Sequence, residues 1–155
     1  MALFLSTIVN KLDKKGRVSV PASFRSALEG EAFAGVALFR SLHLPTIEGM
    51  GSMRLQQLSE SLDGNDIFAQ SSHDLADCVF ADAQMLGFDS EGRIAIPPAF
   101  LAYARIKEQL AFVGRGATFQ IWDFEAFQEH QEKARQRLRD NPLALNLSII
   151  SQKGA

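Results

Sequence analysis

The chain has a single cysteine, Cys78, among its 155 residues. An internal disulfide is therefore excluded, and the usage fits a reducing cytosol. Within LADCVFA that cysteine reads as a small buried apolar residue. Tyrosine and tryptophan are equally scarce, one each against twelve phenylalanines, which points to many buried rings and few with a polar tip. No hydrophobic run approaches the roughly 18 residues of a membrane span, and the opening MALFLSTIVNK is too short and interrupted for a signal peptide. No membrane partner is expected. Basic excess is also missing: the net charge is −2, whereas nucleic-acid-binding surfaces are as a rule basic. Catalytic signatures are absent too. His43, His73 and His130 stand far apart, and nothing has the spacing of a metal site, a phosphate-binding loop or a nucleophile elbow. No catalytic residue, metal or cofactor is expected.

What the chain does have is repetition. Asn10 to Leu28 reads NKLDKKGRVSVPASFRSAL, and Leu86 to Ala104 reads LGFDSEGRIAIPPAFLAYA. Both carry Asp-x-x-Gly-Arg, then apolar-x-apolar-Pro, then a Phe three residues past the proline. Asp13, Gly16, Arg17, Pro21 and Phe24 align with Asp89, Gly92, Arg93, Pro97 and Phe100. Such self-similarity means one supersecondary unit built twice. Units of this length bury little surface alone, so two of them share a core or oligomerise.

Charge is unevenly spread. Residues 1–40 carry six cationic side chains (Lys11, Lys14, Lys15, Arg17, Arg25 and Arg40) against three acidic ones, a net +3. Residues 41–82 carry Arg54 against seven acids, a net −6. A local field, not the total, steers a polyanion.

The coarse pattern is strand, turn, strand, short helix, two strands, then helix, run through twice. An alternating segment Phe4–Leu12 precedes the turn Asp13–Gly16 and a strand Arg17–Val20. Gly16 supplies the positive φ of a tight turn, and Asp13 is placed to accept from amides two or three residues on, with Gly92 and Asp89 in the matching places of the second turn. Pro21 suits the first helical position, and Phe24, Ala27 and Leu28 give that helix an apolar side. Strands follow at Gly35–Phe39 and Leu44–Ile47, and helices at Ser52–Leu62 and His73–Asp82. The second copy has strands Gln84–Phe88 and Arg93–Ile96, a helix led by Pro97-Pro98, strands Leu110–Val113 and Thr118–Trp122, and a long charged helix Asp123–Arg139. We expect a first unit over 1–62, a connecting helical segment over 63–82, a second unit with its final helix over 83–140, and a tail over 141–155.

Two readings of the turns stand side by side. In one, Lys14, Lys15 and Arg17 form a basic knuckle for a DNA groove: lysines contact phosphate and arginine forks onto guanine. Arg93 is the one comparable residue of the second turn, where Ser90 and Glu91 replace the lysines. In the other, the arginine merely pairs with the aspartate of its own turn, a contact of about 0–1 kcal/mol without function.

NKLDKKGRVSVPASFRSAL, the second copy around Asp89 and the segment GRGATFQIWDFEAF together resemble the MraZ family, bacterial transcription regulators built from two tandem AbrB-like domains. The resemblance spans almost the whole chain. It implies an α+β fold, a duplicated AbrB-like swapped-hairpin β-barrel with short flanking helices and a long C-terminal helix, assembled as a ring homo-oligomer. It also implies a cytoplasmic, nucleoid-associated repressor that binds double-stranded DNA at repeated promoter boxes of the division and cell-wall gene cluster. Lys14, Lys15, Arg17 and, less directly, Arg93 would be the DNA-binding residues, with Asp13, Gly16, Asp89 and Gly92 holding the turns. The alternative is an AbrB-like interaction scaffold or antitoxin-type module without direct DNA readout. Two departures from the family pattern, the uncharged MALFLST and the acidic SSHDLADCVFAD, imply a weak grip per subunit.

Overall fold

Strand pairing in this protein crosses between the two sequence repeats. The computed structural model describes residues 2–64, 66 and 68–141. In chain order the elements are β1 (Thr7–Lys11), β2 (Arg17–Ser19), α1 (Ala22–Ala27), β3 (Gly35–Arg40), β4 (Ile47–Met50), α2 (Ser52–Asp63) and α3 (Gln70–Leu75). There follow a π-helical turn (Ala76–Phe80), β5 (Gln84–Gly87), β6 (Arg93–Ala95), α4 (Pro98–Tyr103), β7 (Gln109–Gly114), β8 (Phe119–Trp122) and α5 (Phe124–Asp140). The chain divides into one unit through Phe124 and a second from Glu125 onward. The tail expected over 141–155 lies, from residue 142 onward, outside the described residues.

Six strands form one antiparallel sheet in the order β1-β7-β8-β4-β3-β5. β1 of the first copy pairs with β7 of the second, from Thr7 opposite Val113 to Lys11 opposite Gln109. In return β5 of the second copy pairs with β3 of the first, Gly35 opposite Gly87. At the centre β4 meets β8, with Ile47 opposite Ile121 and Gly49 opposite Phe119. A Cβ at Gly49 would come within 2.3 Å of the Phe119 ring, so only glycine lets that ring lie across the strand. The remaining strands, β2 and β6, pair with each other as a separate two-stranded ribbon.

Both repeats feed one core. Val18 and Val20 enter it from the first copy and Ile94 and Ile96 from the second, beside Phe24 and Phe100. Phe4, Phe24, Phe112 and Phe119 stack edge-on or tilted, with centroids 5.0–6.2 Å apart, the geometry that aromatic quadrupoles prefer. β3 is buried on both faces. Val36 and Leu38 point into this cluster, while Ala37 and Phe39 join Met50 and Val79 in a smaller one against Leu55 and Leu58 of α2. That alternation is the period-2 geometry of a strand. The buried polar groups are satisfied: Thr46 Oγ1 donates to the Ile121 carbonyl at 2.7 Å, and Trp122 Nε1 to Gln120 Oε1 at 2.8 Å. Gln120 Nε2 in turn donates to Glu48.

Several local expectations need correction. The strand expected at Leu44–Ile47 lies at Ile47–Met50. Pro45 cannot donate to a ladder, and the backbone turns there through the bond from Thr46 N–H to the Leu44 carbonyl. Pro21 occupies the cap position, with extended ψ 141°, so its helix begins one residue later, at Ala22. The second helix is led by Pro97 and Pro98 as expected, Pro97 at the cap and Pro98 first in the helix. The helix expected over His73–Asp82 is a short α-helix ending at Leu75, continued by the π turn. Ala81 N–H donates to the Ala76 carbonyl, five residues back. That wider turn directs Val79 inward and leaves Cys78 exposed, contrary to the buried position expected for it. Among the described residues no helix is long and apolar enough to cross a membrane.

Candidate nucleic-acid interface

Each repeat places its turn at one end of the β2–β6 ribbon, and the two turns are built alike. In the first, Gly16 N–H donates to the Asp13 carbonyl at 3.1 Å and Asp13 N–H to the Arg17 carbonyl at 2.8 Å. The Asp13 carboxylate then gathers three more donors. Oδ1 accepts from the amides of Lys15 and Arg17 at 2.9 and 2.8 Å, and Oδ2 accepts from Arg17 Nε at 2.7 Å. Gly16 takes φ +79° and Gly92 takes φ +76°, the left-handed region where a side chain is strained. In the second turn Asp89 accepts from the amides of Glu91 and Arg93, both at 2.9 Å, and from Arg93 Nε at 2.8 Å. The Arg17 amide bond foremost, then the Arg17 and Lys15 donors, holds the Asp13 carboxyl below its ordinary pKa; the Arg93 amide does the same for Asp89.

Ribbon register decides which way the arginines point. Arg17 lies opposite Ala95, Val18 opposite Ile94, and Ser19 opposite Arg93. Val18 and Ile94 are buried, so Arg17, Ser19, Arg93 and Ala95 share the outer face. Arg17 and Arg93 are thus diagonal neighbours, at about 7–8 Å for such a pair. Both turns of one chain belong to a single surface.

The turns differ in what they offer. Lys14 and Lys15 are exposed at the first. Arg17 spends its Nε on Asp13, and among the described residues no other carboxylate pairs with it, so its terminal nitrogens remain to donate outward. Arg93 is tied twice, by Nε to Asp89 and by Nη2 to Glu91 Oε2 at 3.3 Å. Its side chain is 27% exposed against 36% for Arg17. The self-pairing expected of a bland turn is therefore present in both copies, and it consumes the fork more fully in the second.

Sequence reading passed over one cation at this surface. Arg25 of α1 lies against Gly92, in the other copy's turn. The signal was available: Arg25 follows Phe24 where Leu101 follows Phe100, a break in the repeat at an otherwise matching position. His43 and His73 are exposed and distant in the fold's element order, and among the described residues no three His, Cys, Asp or Glu side chains could hold a metal. An apolar groove of about 370 Å³ runs between β3, α2 and the π turn, lined by Phe39, Leu42, Leu58, Leu62, Leu75 and Val79 among others.

The sequence family described as "MraZ protein, putative antitoxin-like" matches residues 79–145. A relative from Pelagibacter ubique, named transcriptional regulator MraZ, is 42% identical over 143 residues, covering 92% of each chain. A namesake from Gluconobacter oxydans is 43% identical over 90% of this chain and 87% of its own. Another, from Rickettsia canadensis, is 36% identical over 94% and 97%. Identity at this level along nearly the full length of each, with two Asp-x-x-Gly-Arg turns on one ribbon, places the chain in the MraZ family.

Proposed function

We propose that the chain is a sequence-specific DNA-binding transcriptional regulator. It acts as a repressor at repeated promoter boxes of the division and cell-wall gene cluster, in the cytoplasm at the nucleoid. Its relatives bear the name of transcriptional regulators. The observation that carries the reading is Arg17, held by Asp13 through Nε and 36% exposed, on a turn whose Lys14 and Lys15 are both exposed. A guanidinium fixed in this way loses less side-chain entropy on contact with a guanine edge. The lysines contribute phosphate contacts that carry no sequence information.

One such knuckle is weak, since few fixed charges release few counterions. A ring homo-oligomer laid over several boxes multiplies the grip, and linkage of this kind raises avidity by about 10²–10⁴. The exchange of β1 and β5 between the repeats supports a swapped-hairpin barrel of the AbrB kind completed within one chain. Units over 1–62, 63–82 and 83–140 remain our reading of its organisation. The competing reading, an interaction scaffold or antitoxin-type module, draws support from the self-paired arginines and the acidic residues 41–82.

A fluorescence-anisotropy titration against duplex from upstream of the gene itself separates the two. DNA binding predicts sequence-selective association that weakens steeply with salt and is lost in Arg17→Ala with the circular-dichroism spectrum unchanged. Association of Arg17→Ala and Lys15→Ala equal to that of surface controls would leave the scaffold reading.

A further inference from the structure

We infer that the second turn is a composite element whose outward cation is Arg25, delivered from the first repeat, and that Arg25 contacts phosphate there. This rests on the DNA-binding reading. The geometry begins with the ribbon, whose outer hydrogen bonds reach into the opposite turns: Val20 N–H donates to the Gly92 carbonyl at 3.1 Å, and Ile96 N–H to the Gly16 carbonyl at 3.0 Å. Each short helix after the ribbon therefore starts beside the other copy's glycine. At Gly16 the helical neighbour is Leu101, whose Cδ1 would lie 3.9 Å from a Cβ there. At Gly92 it is Arg25, whose Cζ, Nε and Nη1 would each lie 2.9 Å from a Cβ.

The guanidinium thus lies across the glycine, and Gly92 is buried beneath it while Gly16 is half-exposed. Arg25 Nε donates to the Val20 carbonyl at 3.1 Å, which anchors the group at its base. Its residue is exposed, and among the described residues no carboxylate pairs with it. Nε is thus anchored to the backbone while the residue as a whole stays exposed.

Charge gives this arrangement its consequence. The first turn carries Lys14, Lys15 and Arg17 against Asp13. The second carries Arg93 against Asp89 and Glu91, and Arg93 is bonded to both. By itself the second turn would repel a phosphate backbone. Arg25 neutralises that excess and is the cation at this turn without an acidic partner, so the repeat is asymmetric: one turn uses its own lysines, the other borrows an arginine across the ribbon. Gly92 is favoured by its positive φ, and a Cβ there would also push the Arg25 guanidinium off the turn.

Anisotropy titrations of the full-length protein on the same upstream duplex, between 50 and 200 mM salt, test this with Arg25→Gln, Arg25→Lys and Arg17→Ala. Each phosphate contact removed lowers the slope of log affinity against log salt by about one. Arg25→Gln should flatten the slope by about that amount and weaken binding at every sequence tested alike. Arg25→Lys should keep the slope, because it retains the charge while losing the Nε bond. Equal losses in both variants would show that Arg25 acts only through its bond to Val20, and a wild-type slope in Arg25→Gln would show that no phosphate meets it; either result overturns the proposal. Failure of the DNA reading itself looks different, since the wild-type protein would then show no salt-dependent binding and Arg17→Ala would match it.

Discussion

Arg17 Nε donates to Oδ2 of Asp13 at 2.7 Å while the other oxygen of that carboxylate accepts from the Arg17 and Lys15 amides. One acidic side chain thereby shapes the turn and aims the arginine that follows it. For a DNA-binding element the pairing is counter-intuitive, because an acid stands next to the cation. Its use is preorganisation: a side chain already held in place loses less freedom on binding.

Asp13→Ala separates charge from order. It removes a negative charge beside the knuckle, so simple electrostatics expects tighter DNA binding. We expect the reverse, a loss on the order of tenfold or about 1.4 kcal/mol of binding free energy, because the turn and Arg17 lose their common anchor. Anisotropy at constant salt reads the sign directly, and tighter binding by Asp13→Ala would refute the ordering argument.

Glu91→Gln should act in the opposite direction. It cancels the charge that holds Arg93 Nη2 at 3.3 Å, leaving Arg93 anchored by Asp89 alone, as Arg17 is by Asp13. Affinity should rise several-fold and the salt dependence should steepen. No change in either would mean that the second turn does not face DNA.

Acid should act through the same carboxylates. Asp13, Asp89 and Asp82 all have depressed pKa values in the folded chain, Asp82 chiefly through the side-chain bonds from Arg40. A depressed carboxyl contributes stability that is fully present above its unfolded pKa, about 3.9, and that is lost as pH falls through the lower folded value. Stability should therefore stay level with respect to these groups above about pH 5 and decline below about pH 4. Asp82→Asn should cost about 1–2 kcal/mol at neutral pH, toward the low end because Arg40 is partly solvated, and its acid decline should be shallower than wild type in urea titrations. A parallel decline would assign the acid sensitivity elsewhere.

Arg40 links more than that pair. Its guanidinium also lies 5.3 Å from the ring centroid of Phe100, in the second copy's helix α4. With Phe119 packed on Gly49 and against Phe4 and Phe24, the two repeats share one core. Phe119→Ala should thus cost about 3–5 kcal/mol and lower a single calorimetric transition for the unit through Phe124. Two resolved transitions would show that the repeats fold independently.

Much of each turn was legible in the residues, because its bonds close within five positions: an aspartate to cap amides, a glycine for positive φ, and an arginine four places after the aspartate. Such contacts depend on local geometry that the chain carries wherever it goes. Strand partners were not legible. β1 meets β7 and β5 meets β3, and alternating apolar residues say which face is buried without saying against whom. The exposed Cys78 followed from a π turn whose five-residue spacing shifts the inward face, a change too small for apolar spacing to reveal. Sequence alone determined that two glycine-bent, aspartate-capped turns would exist. Only tertiary structure decided that they would share one ribbon and that Arg25 would lie over a glycine 67 positions away, because those neighbours are set by strand exchange through a common core.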